Sequence, residues 1–301
     1  MSRNKGKEIL ERLRKGEIIL ADGAANVVLT QNRLDIGGGT AQHNITHYDL
    51  IAKLHKDYAA VGSQIAFANT LHASRHSLSR HSLEDKIGEI NFEGIRAAKE
   101  SGNPVFGLVT SAYGVETSLF DKEYIKGNYA EQIAYLRDVG CDFIYLLTHV
   151  DLVDAKCAVA AAKEQAKDLP IALAFTFGHD SSVIFCYDHT STGATLTGIV
   201  KEFKDEVDVL GFNCGTHPFY SKALLQRFRE LTDMPLIVQP NAGKPNMDGI
   251  TYQTNPEDFA RSIHYAVEAN NGQGLIVGGC CGTTPEYIRQ VKKTLIKPLK
   301  T

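Results

Sequence analysis

Eight short apolar runs, each followed by a longer amphipathic stretch, recur along the 301 residues of this chain. The runs cover residues 18–21, 64–68, 105–110, 143–147, 171–175, 207–212, 236–239 and 275–277. They are continuous and rich in β-branched and aromatic residues, as strands buried on both faces should be. Helical periodicity fills residues 48–60, 84–101, 124–139, 151–167, 191–203, 221–231, 256–269 and 285–295. Two of these start on a proline at the first helical position, in Asn255-Pro256-Glu257 and Thr284-Pro285-Glu286. Eight strand–helix units in a chain of this length predict one (β/α)8 TIM barrel, a single domain over residues 1–301. An open doubly wound sheet is the competing architecture. It calls for a glycine-rich dinucleotide turn after the first strand, and Asp22-Gly23-Ala24-Ala25-Asn26 lacks that spacing. No linker, low-complexity segment or long internal repeat interrupts the pattern.

The composition is 43% hydrophobic and 22% charged with a net charge of -3, which fits an ordinary soluble globular protein and gives nothing for nucleic acid. The basic residues of the first turns, Arg3 to Lys15, alternate with Glu8, Glu11 and Glu17 and read as a solvated helix face. No apolar stretch of about 18 residues predicts a membrane span. The start lacks the apolar core of a signal peptide. Six cysteines are too few for a disulfide framework in a chain this long, which places the protein in a reducing compartment, the cytoplasm.

Three cysteines stand at strand ends. Cys214 closes the run Asp208-Val209-Leu210-Gly211-Phe212-Asn213-Cys214, and Cys280 and Cys281 follow the last strand in Gly278-Gly279-Cys280-Cys281-Gly282. Catalytic side chains of a barrel come from the C-terminal ends of its strands, so these thiols can meet at one mouth. Neighbouring strand residues point to opposite faces. Two adjacent cysteines can serve one metal only where the backbone is already turning, and the flanking glycines allow that. Three thiols with no fourth ligand in sequence match a zinc site with one open position.

Three thiolates on Zn²⁺ leave a net charge of about -1. Such a centre activates water poorly but suits a fourth thiolate from a substrate, deprotonated on binding and still nucleophilic. The bland alternative is that buried cysteines act as small hydrophobes. That reading is adopted for Cys141, Cys157 and Cys186. A disulfide between the neighbours Cys280 and Cys281 would be strained.

Gly211-Phe212-Asn213-Cys214, with Gly278-Gly279-Cys280-Cys281-Gly282-Thr283-Thr284-Pro285, resembles the signature of the homocysteine S-methyltransferase family. That family includes betaine–homocysteine methyltransferase, S-methylmethionine-dependent enzymes and the N-terminal module of cobalamin-dependent methionine synthase. The opening Gly16 to Gly23 and the loop Pro240-Asn241-Ala242-Gly243 match as well, so the likeness covers nearly the whole chain. It implies a (β/α)8 barrel, zinc held by Cys214, Cys280 and Cys281, and methylation of a thiol. Homocysteine is the first acceptor implied, with methionine as product.

The chain departs from the pattern where the family holds the amino group of homocysteine. The glutamate after strand four is replaced by Leu147 in the run 142–149, and only Asn69 and Thr70 stay polar after strand two. A buried ammonium without a carboxylate costs several kcal/mol, roughly. Either another acid, Asp22 or Asp151, compensates, or the acceptor is a thiol without an amino group. Asp22, beside Gly23, is read as catalytic or substrate-binding, with a loop or cap role as the alternative. Asn213 is a catalytic candidate through the substrate or the metal shell, against a turn-satisfying role. Gly23, Asn69, Thr70, Thr148, His149, His179 and Asn241 are expected at the substrate, although loop histidines serve structural roles often. Phe175 and Phe177 are candidates for an aromatic donor cradle or for plain core. His72, His76 and His81 cluster without the glutamate of a helical zinc motif.

The sequence thus predicts a zinc-dependent thiol S-methyltransferase taking methyl from an onium or carrier-bound donor. Its partners are a small-molecule thiol and a methyl donor. No folate or corrinoid module is apparent, so such a carrier would be separate; no nucleic acid or membrane is expected. Methylation or demethylation of a different thiol, zinc hydrolase or lyase chemistry, and a non-catalytic zinc protein are the rival readings. The all-thiolate ligand set argues against activated water.

Overall fold

The computed structural model describes residues 5–37, 39–177, 189–247 and 251–296. Eight strands form one sheet: β1 Ile18–Leu20, β2 Ala66–Phe67, β3 Val105–Thr110, β4 Phe143–His149, β5 Ile171–Phe175, β6 Val209–Asn213, β7 Leu236–Gln239 and β8 Leu275–Val277. Their order is β1-β8-β7-β6-β5-β4-β3-β2 and every pair is parallel. A helix follows each strand, as parallel neighbours require a crossover. The architecture is the predicted TIM-barrel-like α/β fold.

The strands alternate between two cores. Ile19, Phe67, Phe106, Phe143, Tyr145 and Ile237 point to the barrel interior. Leu20, Val109, Ile144, Leu173, Phe212 and Val277 point to the helices. This is the period of two expected of pleated strands. Between β1 and β2, Gln64 stitches the sheet, its N–H donating to Leu20 O at 2.7 Å and its Oε1 accepting from Leu20 N–H at 3.1 Å. Phe67 N–H donates to Asp22 Oδ2 at 2.9 Å. These bonds satisfy backbone groups that a buried sheet edge would otherwise strand.

Several boundaries shift from the sequence reading. β2 is shorter than expected, and the N-terminal helix Lys5–Arg14 is more than a solvated face. Its Ile9, Leu10 and Leu13 join the interior core and close the end of the barrel opposite the thiols. β4 runs two residues past its expected end, through a register break between Leu146 and His149 where Thr148 has φ +63. That break matters for the site. Among the described residues, no helix is long and apolar enough to cross a membrane.

Candidate metal centre and its cavity

Cys214 follows β6 directly and adopts a left-handed φ of +56. Its N–H donates to Gln239 O at the end of β7, 3.0 Å away. Beyond β8, Gly279 N–H donates to Asp22 O, Cys280 N–H to Pro240 O, and Ala242 N–H to Cys281 O. The loops after β1, β6, β7 and β8 are therefore laced together by backbone bonds, and the lacing sets the thiols. Gly282 turns the chain with φ +89, and a Cβ there would lie 2.3 Å from the Tyr252 ring. Only glycine fits that turn.

The sulfurs of Cys214, Cys280 and Cys281 all lie within 4.8 Å of one another, the one such metal-capable group among the described residues. Cys214 Sγ and Cys281 Sγ are 3.9 Å apart, and Cys280 Sγ and Cys281 Sγ 4.0 Å. A tetrahedral zinc with sulfurs at about 2.3 Å has edges of about 3.8 Å. The donor set fits that ion in kind and in spacing. Hydrogen bonds from the Cys280 and Cys281 thiols hold Cys214 well below the usual thiol range. The same contact with Cys214 pushes Cys280 far up and Cys281 up to about 12. Like charges this close disfavour one another, so a cation between the sulfurs would be needed to hold all three as thiolates.

A cavity of about 290 Å³ opens beside Cys280 and Cys281. Asp22, Gly23, His55, Tyr58 and Asn69 contribute to its wall, together with Leu71, Leu108 and Leu147. Gly23 belongs there because a Cβ would strike Thr283 Oγ1 at 2.6 Å and Tyr58 Oη at 2.8 Å. Asp22 is 2% exposed; Oδ2 is committed to Phe67 N–H while Oδ1 has no hydrogen-bond partner. Burial pushes its carboxyl well above the usual range. Gln239 Oε1 accepts from Tyr145 Oη at 2.6 Å and its Nε2 donates to Gly279 O, so it braces the cavity floor.

The remaining candidates divide. Asn69 lines the cavity, but its Nδ2 donates to Thr40 O and Asn44 Oδ1. Thr70 is turned away: Oγ1 donates to Leu108 O and accepts from Leu108 N–H. Asn213 and Thr148 clamp each other across the barrel, Asn213 Oδ1 taking Thr148 N–H and Nδ2 donating to Thr148 Oγ1, both at 2.8 Å. Neither lines the cavity. Asn241 lies beside Cys214, where its amide helps hold that thiol low, and lines a neighbouring hollow of about 470 Å³ with Gly215, His217 and Lys244. His179 and Cys186 lie outside the described residues.

His149 does not reach the mouth. Leu147 points inward; strict alternation would send His149 the same way, but the irregularity at Thr148 reverses the parity. The imidazole instead lies fully buried among the helices, with Nδ1 2.8 Å from Asp154 Oδ2, and Tyr129 Oη donates to the other carboxylate oxygen. Phe175 and Phe177 pack against Phe203 and Phe228, which makes them core rather than a donor cradle. Asp151 caps the helix Leu152–Gln165 through Val153 and Asp154 N–H, and is not a cavity acid. Cys141 is buried and its thiol is pushed up to about 12 by burial, while Cys157 donates to Lys122 O.

His55, Tyr58 and Gln239 are cavity residues that the sequence reading passed over. For Gln239 a signal existed, a lone polar residue ending the run Leu236–Gln239. His55 had none, since a single histidine on a helix face reads as core.

A parallel eight-stranded barrel with three thiols gathered at the C-terminal ends of β6 and β8 defines a class of barrel proteins with a cysteine trio at the mouth. The sequence profile of homocysteine S-methyltransferase matches residues 19–295, and the chain belongs to that family of methyltransferases. It is 27% identical to the methionine synthase of Mycobacterium leprae (strain TN) over 94% of this chain and 25% of that protein. It is 29% identical to the methionine synthase of Mycobacterium tuberculosis (strain ATCC 25618 / H37Rv), over 82% of this chain and 22% of that protein. The chain thus spans about a quarter of the length of these relatives. The crystal structure of the Escherichia coli homocysteine methyltransferase MmuM in its oxidized form shares the fold, with a TM-score of 0.74 and 21% identity over 92% of this chain and 95% of that one.

Proposed function

We propose that this protein is a zinc-dependent S-methyltransferase whose acceptor is the thiol of homocysteine, giving methionine. The observation that carries this is the trio Cys214, Cys280 and Cys281, spaced for one tetrahedral ion and opening on a cavity of small-molecule size. Bound there, zinc would supply a site that holds the acceptor sulfur as thiolate at neutral pH. Family membership and the metallated form known for MmuM support that cofactor.

The chain's own residues do the rest. Cys214, Cys280 and Cys281 would hold the ion, and Asn241 beside Cys214 favours its thiolate. Gln239 and Tyr145 keep the cavity floor rigid. Leu71, Leu108 and Leu147 exclude water from the sulfur, which leaves it nucleophilic. The acceptor sulfur forms the new bond to the methyl carbon; the donor leaves with the electron pair of its broken bond, and the thiol proton passes to solvent. An onium compound or a methylated folate or corrinoid carrier is the donor class. Alignment of donor and acceptor within the mouth contributes by proximity.

A second reading has its own support. Leu147 lines the cavity where the family keeps a glutamate, so an acceptor without an amino group, methylated or demethylated, is the rival. The test is zinc content per chain in wild type and Cys281→Ala, with X-ray absorption at the zinc edge as homocysteine, 3-mercaptopropionate and 2-mercaptoethanesulfonate are added. A new sulfur neighbour with homocysteine supports the proposal. A new sulfur only with an amine-free thiol moves it to the rival. No zinc, or a shell indifferent to every thiol, refutes both.

A further inference from the structure

We propose that His55, acting beside Asp22, is the specificity-determining residue that receives the ammonium group of an amino-acid thiol. This rests on the thiol-methylation reading above and names how that site selects its acceptor. His55 lies on the helix Tyr48–Val61 and is 3% exposed. It shares a cavity wall with Asp22, from the end of β1, while Cys280 and Cys281 stand on another part of that wall.

Three buried polar atoms on this wall have no partner: Asp22 Oδ1, His55 Nδ1 and His55 Nε2. Leaving such atoms unsatisfied is costly, and native interiors seldom tolerate it. A histidine placed only for packing gives no reason for this grouping. The second carboxylate oxygen is fixed by Phe67 N–H, so the orientation of Asp22 is set and Oδ1 is left over. His55 Nδ1 is 3.9 Å from Asp22 Oδ2, too long for a direct hydrogen bond. The two side chains thus stand close together on the cavity wall without satisfying each other, which leaves both open to a third group.

The chemistry of that group follows from what the wall offers. An ammonium carries three donors and no acceptor. Asp22 is the lone carboxylate among the residues lining this cavity, and Leu71, Leu108 and Leu147 make much of the remainder apolar. Burial lowers the His55 imidazole to about 4, which keeps a ring nitrogen lone pair available at neutral pH. Burial alone disfavours an ionised Asp22, so its charge is stabilised only when a cation arrives; Asp22 then supplies the countercharge and His55 the second acceptor. Together they take over the task for which Leu147 has no polar atom.

The experiment uses the zinc-loaded protein and two probes, L-homocysteine and 3-mercaptopropionate, titrated calorimetrically. His55→Leu should weaken homocysteine roughly tenfold or more while 3-mercaptopropionate stays within about twofold. His55→Gln, which keeps an acceptor, should recover part of the loss. Equal weakening of both thiols would show a packing role and overturn the inference, as would an unchanged homocysteine affinity. A wild-type measurement guards against a misfolded variant: the ¹⁵N resonances of the His55 ring should shift with homocysteine and stay put with 3-mercaptopropionate. Absence of that difference also overturns it. If 3-mercaptopropionate binds and homocysteine does not, this inference fails while thiol activation stands. If neither binds, the thiol-methylation reading fails and takes this one with it.

Discussion

Burial of His55 should write itself into the pH dependence of stability. The folded imidazole titrates near 4, lowered by burial alone, against about 6.5 in the unfolded chain. Between those values the unfolded state binds a proton that the folded state refuses, so stability falls as pH drops through the window. Linkage from these two values gives a loss of about 2–3 kcal/mol between pH 7 and pH 4.5, with no discount for exposure because the ring is buried. Urea denaturation of wild type and His55→Gln at both pH values isolates this contribution, with a chelator present so that metal release does not enter. Asp22, whose carboxyl is raised by burial, titrates in the opposite sense and loses stability as pH rises. It remains in both proteins, so the double difference reports mainly on His55. Equal acid destabilisation of the two proteins would refute the buried neutral imidazole.

Three other outcomes are expected. Gly282→Ala should cost at least about 1 kcal/mol from its φ of +89 and displace Tyr252, lowering zinc per chain by metal analysis along with the thermal midpoint. Tyr145→Phe should cost about 1–3 kcal/mol in urea unfolding, because Gln239 Oε1 loses its donor in a buried site. Asn213→Ala should also destabilise, by about 1–3 kcal/mol, because the Thr148 N–H loses its acceptor. Homocysteine affinity that survives this change would remove Asn213 from the catalytic candidates.

Much of the architecture was legible from local pattern. The eight apolar runs fix strand identity because a strand buried on both faces admits no polar interruption, and the crossovers show as 3.6-residue periodicity. Cys214, Cys280 and Cys281 were legible for a related reason. A residue just past a strand's C-terminal end sits at the barrel mouth whatever the helices do. Asp22 gained its place in the same way, since it follows β1 directly.

The tertiary structure decided the rest. His149 also follows an apolar run, yet one irregular residue at Thr148 turns it away from the mouth, and no periodicity reveals a parity change. Asn213 stands next to a thiol in sequence, but its side chain is spent on a partner 65 residues away. His55 reaches the cavity wall from the helix Tyr48–Val61 and meets Asp22, 33 positions earlier in the chain, only because the folded barrel brings the two together. Sequence determined the strands, the crossovers and which thiols stand at the mouth, because those depend on neighbours in the chain. Which polar groups share the cavity depends on distant elements meeting, and only the folded barrel specifies that.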